Sequence, residues 1–183
     1  MIEAFLLTGG RSQRMGRDKA SLPIDGEAQA ERIVRLLSGV GIATTALGKT
    51  PVAGARALLA DDDSVRGPLD ALRRVRPEAE FALVLSCDLP RFDPALAAVL
   101  RDRIGEADAA VPLVDGFRQP MVALYRRRAF AHVPEEGCPT DWLTPLDVRL
   151  VPEEELRAAG VDPASTRGAN TPDELRALVG DAP

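Results

Sequence analysis

The chain has 183 residues, 45% of them apolar and 28% charged, with a net charge of −5. That length is one domain's worth, and the balance excludes wholesale disorder. The acidic surplus argues against a nucleic-acid groove, and no apolar run approaches the roughly 18 residues of a membrane helix, so neither nucleic acid nor membrane is an expected partner. The opening Met1–Leu7 carries an acid and no basic lead, unlike a signal peptide. Two cysteines, Cys87 and Cys138, cannot build a tetrahedral zinc site, and they read as reduced thiols of a cytoplasmic protein. A single histidine, His132, argues against Ser-His-Asp or Cys-His chemistry. Lysine occurs only at Lys19 and Lys49, against 21 arginines, so a lysine in a Gly-rich loop points to a need for that residue type.

In chain order, Ile2–Leu7 reads as a buried strand that delivers the loop beginning Thr8-Gly9-Gly10. Glu27–Leu37 has helical spacing, with Ala30, Ile33, Val34 and Leu37 on one face, and Gly39 and Gly41 stop it. Ile42–Leu47 and Arg56–Ala60 read as two more strands. Gly67-Pro68 opens a helix through Val75, with Pro68 in the first turn. Phe81–Leu85 is another buried strand, followed by Ser86-Cys87-Asp88-Leu89-Pro90. Asp93 reads as the N-cap of a helix through Ile104. Asp108–Leu113 and Pro120–Tyr125 are strand-like on either side of a turn at Asp115-Gly116, Arg126–Val133 reads as helical, and Asp147–Val151 reads as a last strand. Thr171, Pro172 and Glu174 form a capping box for a final helix. Strands alternating with helices imply an α/β fold, a Rossmann-like three-layer sandwich with a mostly parallel central sheet. The expected organisation is one domain over residues 1–179, with a frayed tail at 180–183.

In open α/β sheets, ligands bind beyond the carboxyl ends of the strands, at a switch in strand order. Two loops there carry unusual chemistry. The first spans Leu7 to Lys19: paired glycines that let backbone approach a polyanion, then Arg11, Arg14, Arg17 and Lys19. Its spacing is neither the P-loop nor the dinucleotide fingerprint. The second is Cys87-Asp88-Leu89-Pro90, where Asp88 stands as a carboxylate for a cation such as Mg²⁺ that takes its other ligands from phosphates; the plainer role for Asp88 is a turn residue. Cys87 reads as a small packed residue. Asp61-Asp62-Asp63 offers one acid to a base or sugar, the other two being solvated. Arg118-Gln119-Pro120-Met121 and Arg167-Gly168-Ala169-Asn170-Thr171-Pro172 read first as ordinary turns, and second as lining for an acceptor pocket. Trp142 reads as core or interface.

The string Leu7-Thr8-Gly9-Gly10-x-Ser12-x-Arg14-Met15-Gly16-x-Asp18-Lys19 resembles the signature loop of nucleotidyltransferases of the molybdenum cofactor guanylyltransferase (MobA) type. Asp61 with Gly67-Pro68-Leu69, Cys87-Asp88-Leu89-Pro90, Gln119-Pro120 and Asn170-Thr171-Pro172-Asp173-Glu174-Leu175 follow in the family's order. The resemblance implies a Mg²⁺-dependent cytoplasmic enzyme that transfers GMP from GTP to the molybdenum-molybdopterin cofactor and releases pyrophosphate. It implies nucleotide binding by Leu7, Thr8, Gly9, Gly10, Lys19, Asp61 and Asp88, with Asp88 also the metal ligand. Arg14, Lys19 and Asp88 are the expected catalytic residues, and Gln119 and Asn170 the expected acceptor contacts. The Gly9 and Gly10 amides are expected on the triphosphate. Related cytidylyltransferases tend to have Ala-Ala-Gly where this chain has Thr8-Gly9-Gly10, which favours guanine.

Three positions depart from the family pattern: Ala71 replaces a glycine, Gly168 replaces an asparagine, and no asparagine lies in Thr44–Gly48. A cytidylyl- or sugar-phosphate nucleotidyltransferase of the same fold is the alternative, and a non-catalytic GTP-binding subunit is the alternative of another class. A GTP-binding accessory protein or a molybdoenzyme chaperone would be the partner of such an enzyme.

Overall fold

The computed structural model describes residues 1–9, 23–24, 26–61, 65–169 and 172–179. The first strand, β1 (Ile2–Leu7), is apolar on both faces because both are covered. Ala4 and Leu6 pack with one core, Phe5 and Leu7 with the other. β2 (Pro23–Ile24) and β3 (Glu27–Ala28) form a two-residue antiparallel pair turning at Gly26, whose φ of 82° disfavours a side chain. α1 (Gln29–Gly39) then buries Ala30, Ile33, Val34 and Leu37 against the Ala4–Leu6 side.

β4 (Thr44–Gly48), β5 (Ala57–Ala60), α2 (Pro68–Arg73), β6 (Phe81–Ser86) and α3 (Ala95–Arg103) complete the first half. β7 (Ala109–Val114), β8 (Phe117–Arg118), β9 (Val122–Arg126), β10 (Val148–Pro152), α4 (Glu153–Ala158) and α5 (Pro172–Val179) make up the second. Short 3₁₀ turns span Arg127–His132, Pro139–Leu143 and Pro163–Thr166.

The eight-stranded sheet runs β10-β7-β9-β6-β1-β4-β5, with β8 paired to β7. β1, β4, β5 and β6 are mutually parallel; β9 runs against β6 and β7, while β10 is parallel to β7. α1, α3 and α4 contribute to the core on one face. α2 and the two 3₁₀ turns around Phe130 and Trp142 contribute to the other. The sandwich is therefore three layers with a mostly parallel sheet, as the alternating pattern implies. On the second face Tyr125 and Trp142 stack with ring centroids 4.0 Å apart, and both polar ends are satisfied. Tyr125 Oη donates to Pro120 O at 2.8 Å, and Trp142 Nε1 donates to Ala129 O at 3.1 Å. Burial raises the Tyr125 phenol well above its usual 10.0. Trp142 is thus a core residue.

At the amino edge of the sheet the buried Glu3 carboxylate accepts from Glu78 N (2.5 Å), Ala79 N (2.7 Å) and Arg56 Nη2 (3.2 Å). It ties β1 to the turn entering β6.

Some expected boundaries move. α1 starts at Gln29 because Glu27–Ala28 pairs with β2. The α3 N-cap is Pro94 rather than Asp93, although Asp93 Oδ1 still accepts from Ala95 N at 2.8 Å. Arg127–His132 is a 3₁₀ turn rather than an α-helix. The expected N-cap Thr171 and the tail 180–183 lie outside the described residues.

Candidate active site

The pairing registers bring four strand ends into a row. Leu7 pairs with Leu47 of β4 on one side and with Ser86 of β6 on the other. Thr8 N, Gly9 N and Thr8 Oγ1 all donate to Leu47 O, at 2.8, 3.1 and 3.1 Å. Cys87 N donates to Leu7 O at 3.1 Å, and Asp61 N donates to Gly48 O at 2.9 Å. Asp61, Gly48, Thr8-Gly9 and Cys87-Asp88 therefore line one carboxyl edge, spanning three interstrand spacings or about 14 Å. The chain passes from β1 to β4 on one side, then crosses from β5 back to β6 on the other. That reversal flanking β1 is where open α/β sheets bind ligands.

Close backbone approach explains the glycines. A Cβ on Gly9 would collide with Asp61 Oδ2 and lie 3.4 Å from Gly48 Cα. The Asp61 carboxylate thus rests over bare Gly9 backbone, joining two of the expected nucleotide residues. The Gly9 N–H donates to Leu47 O, and the missing side chain leaves the space that the Asp61 carboxylate occupies. Gly48 is a site residue that the sequence reading passed over. A Cβ there would lie 2.9 Å from Gly9 N and 3.1 Å from Thr8 C, and would strike Thr8 Oγ1. Its only sequence signal is a glycine ending an apolar strand.

Asp88 is fixed from the C-terminal segment. Its carbonyl accepts from Ala169 N at 2.9 Å, and a Cβ on Gly168 would sit 3.3 Å from Asp88 Oδ1. The departure from the family pattern at Gly168 therefore falls directly beside the Asp88 carboxylate. Gln119 reaches the same edge because β9 runs backwards: Ser86 N donates to Met121 O at 2.8 Å. Gln119 itself is held by Gln119 N to Pro112 O (2.9 Å) and Nε2 to Phe117 O (3.4 Å). Cys87 is buried in the core to which α1, α3 and α4 contribute, and His132 is exposed. Gly10, Arg14, Lys19 and Asn170 lie outside the described residues.

A second cluster closes the far side of the edge. Arg167 Nη2 pairs with Asp115 Oδ1 at 2.7 Å, and Asp115 N donates to Glu153 Oε1 at 2.8 Å. The Asp115 N–H, and after it Arg157, hold the Glu153 carboxyl below its usual 4.5.

Among the described residues no group of three or more His, Cys, Asp or Glu side chains gathers to cage a metal. A single carboxylate at Asp88, on a backbone held by Ala169 N, fits an ion that completes its shell with phosphate oxygens and water, which is the habit of Mg²⁺.

Residues 4–138 match the MobA-like NTP transferase domain. A probable molybdenum cofactor guanylyltransferase of Pelotomaculum thermopropionicum is 31% identical over 96% of this chain and 91% of its own. Among solved structures, molybdopterin-guanine dinucleotide biosynthesis protein A from Archaeoglobus fulgidus superposes with a TM-score of 0.78 at 20% identity, covering 97% of this chain and 96% of that one. The 2-C-methyl-D-erythritol 4-phosphate cytidylyltransferase of Thermus thermophilus superposes at 0.68 with 17% identity, over 98% of each chain. These structural likenesses show the fold. With its family domain spanning most of its length and a relative matched nearly end to end, the chain belongs to the MobA-like NTP transferases.

Proposed function

We propose that this protein is a molybdenum cofactor guanylyltransferase, transferring GMP from GTP to the terminal phosphate of the molybdenum-molybdopterin cofactor. The observation that carries the reading is the joint placement of Asp61 over Gly9 and of Asp88 beside Gly168 on one carboxyl edge, at the strand-order switch. Family membership and the guanylyltransferase relative support the reaction class; Thr8-Gly9-Gly10 supports guanine.

The reaction is an in-line displacement. An oxygen of the acceptor phosphate bonds to the α-phosphorus of GTP, the bond from that phosphorus to the bridging oxygen of the β-phosphate breaks, and pyrophosphate leaves with the electron pair. The attacking oxygen is already anionic near neutral pH, so no strong base is needed. The protein's part is placement and charge stabilisation. Asp61 offers carboxylate oxygens to the nucleoside's donors. Lys19 and Arg14 supply cationic donors to the triphosphate. Asp88 would hold Mg²⁺, which when bound offsets phosphate charge. Gln119 and Asn170 line the acceptor side. The chain works in the cytoplasm on this reading, and none of its described helices is long and apolar enough to cross a membrane.

A panel of GTP, CTP, ATP and UTP with Mg²⁺ and molybdenum-loaded molybdopterin, followed by pyrophosphate release, tests the reading. Release with GTP alone is expected. Release with CTP in preference, or with a sugar phosphate as acceptor, would overturn it.

A further inference from the structure

We propose that Arg167 is a phosphate-binding residue of this edge, with its Nε–H kept for a phosphate oxygen. The identity of that phosphate rests on the function proposed above. The donor itself rests on geometry.

Arg167 follows the 3₁₀ turn Pro163–Thr166 and is anchored at one end of its guanidinium by Asp115 Oδ1, 2.7 Å from Nη2. The anchor is itself braced. Asp115 is the one described non-glycine residue with positive φ (53°), followed by Gly116 at 76°, a turn that reverses β7 into β8. Asp115 N donates to Glu153 Oε1, and Glu153 Oε2 accepts from Arg157 Nη2 at 2.5 Å. The guanidinium is thus presented in a fixed orientation, although the side chain remains 41% exposed.

Its Nε is shielded from solvent and has no hydrogen-bond partner among the described residues. The guanidinium Nε–H only donates, and among the described residues it has nothing to donate to. Such groups are rare in folded proteins, and each calls for a missing partner. The next residue, Gly168, is the one that meets the Asp88 carboxylate, and Ala169 N is bonded to Asp88 O. An anchored arginine with a spare N–H one residue from the Asp88 contact matches an oxyanion, and phosphate is the oxyanion of this chemistry. Two sources can supply it: the acceptor's terminal phosphate or the nucleotide's phosphates.

The test compares the full-length wild type with Arg167→Ala and Arg167→Lys. The lysine variant keeps a cation beside Asp115 and guards against loss of fold, but it lacks the Nε–H. GMP transfer is measured with acceptor varied at saturating GTP and with GTP varied at saturating acceptor. Binding of inorganic phosphate and of tripolyphosphate is measured separately by calorimetry. The expected result is a ten- to hundredfold rise in KM for the acceptor in both variants, with the GTP KM unchanged and partial rescue of Arg167→Ala by added guanidinium at non-denaturing concentration. A rise confined to the GTP KM, with weaker tripolyphosphate binding, would assign the donor to the nucleotide and still bear out phosphate binding. Unchanged KM values and unchanged phosphate binding in a folded variant would overturn the proposal. Should the wild type transfer no GMP, the function proposed above fails, while the phosphate titrations still decide Arg167.

Discussion

Gly48→Ala puts the crowding at the strand tips to a quantitative test. The new methyl would sit 2.9 Å from Gly9 N and 3.1 Å from Thr8 C, and would strike Thr8 Oγ1. Ordinary contacts between such atoms are about 3.5 Å, so the Thr8–Gly9 backbone must retreat by about 0.5 Å. Overpacking of this kind costs about 1–3 kcal/mol. Rotating Thr8 out of the way breaks its buried bond to Leu47 O, about 1 kcal/mol more. At roughly 2–4 °C per kcal/mol for a chain of this size, Tm should fall by about 5–15 °C. The displaced tip also moves against Asp61 and Asp88. With about a hundredfold lost per 1 Å of misplacement, kcat/KM should drop roughly tenfold at 25 °C, where the fold survives. Gly39→Ala is the control. It ends α1, nothing lies within 4 Å of its added Cβ, and it should leave Tm level or slightly raised. Thermal melts and GMP transfer on both variants decide the matter. A Gly48→Ala protein that melts and turns over like wild type would mean that Thr8 and Gly9 do not crowd position 48.

Lys19→Ala and Asp88→Ala should each remove most GMP transfer, about a hundredfold or roughly 3 kcal/mol of barrier, while circular dichroism stays native; near-normal turnover in either contradicts the site assignment. Glu3→Ala should do the opposite. It deprives the Glu78 and Ala79 amides of their acceptor at the far edge of the sheet, so urea stability should fall by about 2–4 kcal/mol with kcat per folded molecule unchanged. Acid stability should respond to Asp108, whose carboxyl is held below its usual 3.8 by the Arg128 guanidinium and next by the Asp147 N–H. A depressed carboxyl contributes stability above its unfolded value and loses it as pH falls through the lower folded value. The urea midpoint of wild type should therefore drop more steeply below about pH 4 than that of Asp108→Asn, and parallel curves would contradict the pairing.

Much of this architecture was legible because local rules agreed with the global fold. The apolar runs Ile2–Leu7 and Phe81–Leu85 are strands covered on both faces, and α1 shows its buried stripe at Ala30, Ile33, Val34 and Leu37. The helix α4 escaped notice although Pro152 and three glutamates mark its start. Leu156 is the only residue it buries, so no apolar period announced it. Asp88 stood out as an acid at a strand end, whereas the choice of Asp61 among Asp61, Asp62 and Asp63 came from the family resemblance. The pairing of Arg167 with Asp115, 52 residues apart, did not stand out, because it depends on β9 reversing the sheet and returning the C-terminal segment to Asp88. Gly48 was equally hidden: its importance lies in how closely Thr8, just past the neighbouring strand β1, presses against it.

Guanylyl transfer at this site is tested most directly by following α-labelled GMP from Mg²⁺-GTP to molybdenum-loaded molybdopterin, with wild type and Asp88→Ala compared side by side. Wild type is expected to give a labelled guanine dinucleotide and one pyrophosphate per transfer, and the variant almost none. Tight GTP binding by wild type with no labelled product, or equal product from both proteins, would contradict guanylyl transfer at this site.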